Sequence, residues 1–450
     1  MVLRTEWRKL SLGIARNMNP DREKPSMSQT LDRIRPYLRV HFHVKNREFV
    51  PGETAIPLTI PTYGSEEVEE AVDSLLSTWV TMGSKVKKFE EAFANYNGSR
   101  HAVMVNSGSS ANLLALSVLT NHTIPDHIEK GSEIITPAVT WATTVYPIAN
   151  VGCIPVLVDV DPRTFNISPT EVEEAITPKT KAIVPVHLLG GPCEIDIIQR
   201  IAETNDLYVV EDTCESTGAE FHGTKLGTFG DMGTFSFFLS HHISTIEGGM
   251  IVTDNDELYE NLKAMRAFGW VRDLQDKEKY ASANKGIDPR FLFITSGYNL
   301  RPTEIQGGFG IHQIKKLDGF IDIRRSNAAD WTKKLSPYSD LLILPEEQPG
   351  TKHVYFGYPI TVRPDAPFTR EQLVDHLERK LVETRPVMAG NMAEQPVMKN
   401  LPHRIGGHLT NSEMIMRQSF FFGNHTGIGS AEREYITNSI IEFLDSFTKK

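Results

Sequence analysis

Two adjacent imidazoles, His241 and His242, stand between Ser236-Phe237-Phe238 and Glu247-Gly248-Gly249. An imidazole takes up or gives a proton near neutral pH, so either ring could serve as an acid or a base. Neighbouring side chains in an extended stretch point opposite ways, so only one of the two can face a given ligand. Upstream, the apolar run Val209-Val210 ends in Glu211-Asp212. A carboxylate at the end of a buried strand lies where ligands bind in open α/β sheets, or it caps the next helix. Asn106-Ser107-Gly108-Ser109-Ser110-Ala111 reads as a strand entering a Gly-Ser turn that opens a helix. Such a turn gathers N–H groups and hydroxyls where the helix dipole favours an anion, or its serines only cap the helix. Trp141 offers a flat apolar face for a heteroaromatic ring, or belongs to a core. Asn299, in Gly297-Tyr298-Asn299-Leu300-Arg301, is placed for a contact or for a turn before a helix.

These residues need a scaffold, and the pattern around them supplies one. Short apolar runs at 101–105, 133–136, 156–160, 182–185 and 207–210 alternate with helical stretches at 111–120, 140–150 and 195–205. That alternation predicts a mostly parallel sheet covered on both faces. Helical spacing also marks 66–78, 85–96, 256–268 and 302–317. Three regions follow: an appendage and lead-in over 1–60, a large domain over 61–318, and a smaller α/β domain over 319–450. In the first, a short helix over 28–35 is expected to stop at Pro36. The charged stretch 272–293 reads as a long loop.

The chain of 450 residues is 40% hydrophobic with a net charge of −10. That is enough apolar material for a large core, and the charge argues against a nucleic-acid surface. No run of 18 or more apolar residues is present, so no membrane span is expected. Met1 to Asn19 lacks the continuous apolar stretch and cleavage site of a secretory signal. Cys153, Cys193 and Cys214 are scattered, which suits a reducing compartment and a cytoplasmic protein. No metal site is expected, and three cysteines cannot supply a four-cysteine iron–sulfur cluster.

In the order and type of five segments the chain resembles the DegT/DnrJ/EryC1/StrS sugar aminotransferases. They are Val105 to Leu113, Thr136 to Thr144, Val209 to Ser216, Gly233 to Gly249, and Gly297 to Gln306. The resemblance spans roughly 55 to 445. It implies the fold type I architecture of pyridoxal-phosphate (PLP) enzymes: a mostly parallel seven-stranded sheet in a large domain, with a smaller C-terminal α/β domain. It implies PLP or pyridoxamine phosphate (PMP) as cofactor. Gly108, Ser109, Ser110 and Ser236 would hold its phosphate, Trp141 would stack on its ring, and Asp212 would pair with the ring nitrogen. Glu215 stands where the family commonly has Gln or His near the phenolic oxygen; it would be protonated there, or face the substrate. Asn299 would reach the neighbouring subunit's cofactor phosphate, which implies a homodimer with shared sites.

The family's lysine slot, six residues before Glu-Gly-Gly, holds His241. An imidazole cannot bind the cofactor covalently as lysine does. Within the family this resembles the sugar 3-dehydratases, which remove the C3 hydroxyl of a nucleotide-linked 4-keto-6-deoxy sugar in deoxysugar or surface-polysaccharide synthesis. His241 would then be the base, with glutamate as a possible amino donor. Gly269-Trp270-Val271-Arg272-Asp273 is followed by Leu274 and not by clustered cysteines, which disfavours iron–sulfur chemistry. Two other readings stay open: an aminotransferase using another lysine, Lys225 and Lys263 being nearest, and a scaffold that binds PLP without catalysis. His187, Glu383 and Arg385 are further candidates for the pocket.

Overall fold

The computed structural model describes residues 25–43 and 49–448. An eight-stranded sheet runs in the order His101–Val105, Gly249–Thr253, Met232–Ser236, Tyr208–Asp212, Thr180–Ile183, Glu133–Pro137, Ile154–Val158, Arg404–Ile405. Only Gly249–Thr253 runs against the rest. Successive side chains on these strands enter different apolar clusters. Ile134 and Val210 pack with Leu114, Leu258 and Leu262, whereas Ile135 and Val209 pack with Val172, Ile195 and Ile198. A strand buried on both faces needs apolar residues at consecutive positions, which is why these segments are runs and not alternations. Because the strands run in parallel, the ends at Val105, Asp212 and Ser236 open on one edge.

A second sheet of four antiparallel strands, Leu342–Ile343, Gly357–Val362, Ser419–Gly423 and Thr384–Pro386, carries the helices Leu317–Leu335, Arg370–Arg379 and Ser430–Thr448. Trp331, Tyr358 and Phe422 form its aromatic centre. A small ribbon joins Glu220–Phe221, Thr224–Lys225 and Thr351–Lys352.

Three expectations need correction. The large sheet has eight strands, not seven: Arg404–Ile405 returns from the C-terminal region to pair with Val156 and Leu157. Met392 and Met398 pack on Ala138, Val145 and Leu157, and Arg404 pairs with Glu133 at 2.7 Å, holding that return. The N-terminal helix does not stop at Pro36 but runs over Met27–His43. Arg35 bonds Glu69 of the helix Ser65–Leu76 (Nε, 2.7 Å), and Phe42 packs on Tyr63, so packing overrides the break. The stretch 272–293 contains a short helix, Lys277–Ala283, and its buried Leu274 and Leu292 join Val271 and Ala264. Residues 1 to 19 lie outside the described residues. No described helix is long and apolar enough to cross a membrane.

Candidate active site

A cleft of about 610 Å³ opens at the carboxyl edge of the large sheet, walled on the far side by Phe356, Glu383, Arg385 and Phe421. Gly108, Ser109, Trp141, Asp212, Glu215, Ser236 and His241 all line it. Ser110 and Asn299 do not.

At one end the strand His101–Val105 turns into the helix Gly108–Leu119. Ser107 is the cap, its Oγ accepting from the Ser110 N–H at 3.1 Å. Ser110 Oγ donates to Asn106 Oδ1 at 2.6 Å and is spent inside the turn. Ser109 is left exposed toward the cleft. A Cβ on Gly108 would lie 2.5 Å from Ser236 Cβ, so only glycine lets Ser236 sit against this helix start. Two hydroxyls and a helix N-terminus converge there, the donor set an anion requires.

Asp212, 4% exposed, forms the floor. Its Oδ2 accepts from Asn112 Nδ2 and Thr144 Oγ1, both at 2.8 Å, and its Oδ1 from the Cys214 N–H at 3.2 Å. Asn112 is fixed in turn by Thr234, whose Oγ1 donates to its Oδ1 at 2.5 Å. The Cys214 thiol also lies against this carboxylate, which lines the cleft. Above this floor Trp141, the first residue before the helix Ala142–Asn150, is 57% exposed.

The two histidines point different ways from a turn closed by the His241 N–H on the Phe238 carbonyl (3.0 Å). His241 faces the cleft with its Nδ1 buried and unpartnered. Burial brings it to about 4; the Cys214 backbone opposes this and the positive Arg324 adds to it. It is therefore uncharged at neutral pH, the form in which it accepts a proton, and not poised near 7. His242 turns away, its Nε2 bonded to the Val354 carbonyl at 3.1 Å. Burial brings Glu215 up to about 8, the Leu189 N–H opposing this and Asp212 adding to it, so its carboxyl is protonated at neutral pH. His187 is not in the cleft. It is fully buried, its Nδ1 accepting from the Cys193 N–H at 3.1 Å and its Nε2 donating to Glu211 at 3.0 Å. Glu211 also accepts from the N–H groups of Gly227, Phe229 and Gly230, so this pair is a loop anchor.

None of the described residues lining the cleft is a lysine. Lys225 pairs with Glu220 at 3.2 Å and lies over Tyr96; Lys263 pairs with Glu260 at 2.8 Å and lies over Tyr259. Asn299 is exposed elsewhere, its Oδ1 accepting from Arg301 Nε at 3.0 Å.

The sequence reading passed over Asn112, Thr144 and Phe356. Asn112 carried a signal, as a lone amide in the apolar run Ala111 to Leu119. Phe356 carried none.

The family model for the DegT/DnrJ/EryC1/StrS aminotransferases matches residues 61–441. The chain belongs to this family. It is 41% identical over 375 residues to the GDP-4-keto-6-deoxy-D-mannose 3-dehydratase of Yersinia pseudotuberculosis, covering 82% of this chain and 94% of the relative. Two solved structures of GDP-4-keto-6-deoxymannose-3-dehydratase superpose with a TM-score of 0.81 at 39% identity, covering 85% of this chain and 99% of theirs. One is a variant with bound GDP-perosamine, the other holds a trapped PLP-glutamate geminal diamine. The fold is that of the fold type I PLP enzymes. The cleft suits such a cofactor: an anion cradle at one end, a carboxylate at the floor, an exposed indole above, and an imidazole with an unused nitrogen beside it.

Proposed function

We propose that this chain is a PMP-dependent dehydratase that removes the C3 hydroxyl of a nucleotide-linked 4-keto-6-deoxy sugar. The observation that carries the reading is a histidine, with no lysine, facing the cleft at the family's lysine position. PMP when bound supplies an amine for the sugar's C4 ketone and a ring that takes up an electron pair. His241 would take a proton from the cofactor's C4′ atom, and the C3 hydroxyl would leave as water. Asp212 pairs with the ring nitrogen and keeps it protonated, while Asn112 and Thr144 hold that carboxylate in place. Ser109 and Ser236, with the helix start at Gly108, bind the phosphate; Trp141 covers the ring and excludes water. Glu215 donates a hydrogen bond, to the cofactor's phenolic oxygen or to the sugar. Arg385 is the sole Lys or Arg among the lining residues, and four carboxyl groups share the wall with it. It is suited to the substrate's diphosphate. Glutamate would supply the amine for the next turnover, leaving as 2-oxoglutarate.

The reading includes a homodimer in which Asn299 of one protomer serves its partner's site. Exposed Trp79, Val80, Phe268 and Tyr298 surround that asparagine through the pairings of Thr81 with Thr303 and Ala267 with Asn299, a face suited to a second copy. Free, mostly buried cysteines suit work in the cytoplasm.

The test is incubation of the protein with PMP, glutamate and a panel of nucleotide-linked 4-keto-6-deoxy sugars, the GDP-linked mannose form first. Loss of the C3 oxygen with formation of 2-oxoglutarate supports the reading. An amino sugar product, or a lysine labelled by borohydride in the presence of PLP, would sink it.

A further inference from the structure

Behind His241 lies a buried cation without a counter-ion. Arg324, on the helix Leu317–Leu335, is 2% exposed. Its Nη1 donates to the carbonyls of Phe356 (2.9 Å), Tyr355 (3.3 Å) and Asn424, and its Nε has no partner. No described carboxylate pairs with it, and burial alone brings its guanidinium down to about 10. A buried charge of this kind is costly, and an apolar side chain would fill the space at less expense. Two of these carbonyls belong to one strap, and the third follows the strand Ser419–Gly423. Residues 353–356 cross from the ribbon strand Thr351–Lys352 to the small-sheet strand Gly357–Val362, with the Val354 N–H on the Gly190 carbonyl (2.8 Å) and the Phe356 N–H on the Leu189 carbonyl (2.9 Å). Tyr355 turns there through a left-handed backbone, φ +46°. That corner presents the Phe356 ring to His241, centroids 5.2 Å apart, on the cleft wall.

We propose that Arg324 is a positioning residue for His241: it clamps the corner that seats Phe356 against the imidazole and so keeps that ring buried in the cleft wall. The inference rests on the reading of His241 as the base. Other charged or titratable groups surround the ring. Asp212, Cys214 and Glu215 come from the segment beside it, and His242 from its own loop. Glu247 stands at that loop's end, His353 on the strap, and Glu383 with Arg385 across the cleft. Burial is the main influence on the ring, and the Phe356 contact supplies part of it.

The test compares the PMP-loaded wild type with Arg324→Gln and Arg324→Lys. The His241 proton resonance, assigned through His241→Asn, is titrated without substrate, so the result is independent of turnover. The wild-type ring should stay uncharged well below pH 6. In Arg324→Gln the midpoint should move toward 6.5, with kcat/KM down about threefold or more near about pH 5.5 and KM little changed. Arg324→Lys should keep the low midpoint and recover the pH profile. A folded Arg324→Gln with an unmoved midpoint overturns the inference, as does a wild-type midpoint at 6.5 or above. If Arg324→Gln fails to fold, Arg324→Lys decides: a raised midpoint there overturns it. Should the titration behave as expected while no sugar is deoxygenated, the dehydratase reading fails and the positioning role stands.

Discussion

Replacing His241 by Asn keeps a polar side chain of similar size and removes the proton acceptor. Deoxygenation should fall by about a hundred- to ten-thousand-fold, while PMP binding, followed by its absorbance, changes little. Sustained deoxygenation would remove His241 as the base. Gly108→Ala probes the anion cradle: the new methyl would need the space of Ser236 Cβ, 2.5 Å away. Cofactor affinity should drop at least tenfold and stability by about 1–3 kcal/mol, read by PMP titration and thermal unfolding. The histidine that faces the cleft was legible in the sequence, because the distance to Glu247 chooses between neighbours. The serine turn was less legible. Ser107, Ser109 and Ser110 are chemically alike, and only the backbone decides that Ser107 caps, Ser110 is consumed and Ser109 is free.

At the level of elements, the strap 353–356 and the loop 238–248 bury histidines without charging them. Burial brings His241 to about 4, His353 to about 3 and His425 to about 4, and holds His242 well below its ordinary value. The sign follows from proton uptake. An unfolded chain protonates these rings near 6.5 and the folded one does not, so their contribution is present above 6.5 and is lost as pH falls toward 4. Glu215, raised to about 8, works the other way and loses its contribution as pH rises from 4.5 to 8. Four histidines outweigh one carboxyl on the acid side. Unfolding free energy should fall by on the order of 5 kcal/mol between pH 6.5 and 4, measured by denaturant titration; a flat profile would contradict the buried, uncharged state. The alternation of strand and helix was readable because consecutive apolar residues mark doubly buried strands. The strand Arg404–Ile405 was not, since two residues carry no period, and Pro36 misled because a docked helix tolerates a lost bond.

For the molecule as a whole, the proposed sharing of sites between protomers makes a quantitative prediction. Asn299→Ala and His241→Asn proteins should each be nearly inactive. Mixed and re-equilibrated, they should regain roughly a quarter of wild-type activity, because half the dimers are mixed and each holds one intact site. No recovery would mean that each chain completes its own site. The boundary between the two sheets also has a mechanical side. The smaller C-terminal domain leaves the large one at Leu317 and comes back to its sheet at Arg404. A lobe fastened at two places resists the rocking that a single pivot permits. The doorway between the lobes should therefore keep its width, and a ligand should come and go past shifting side chains rather than through a swinging gate.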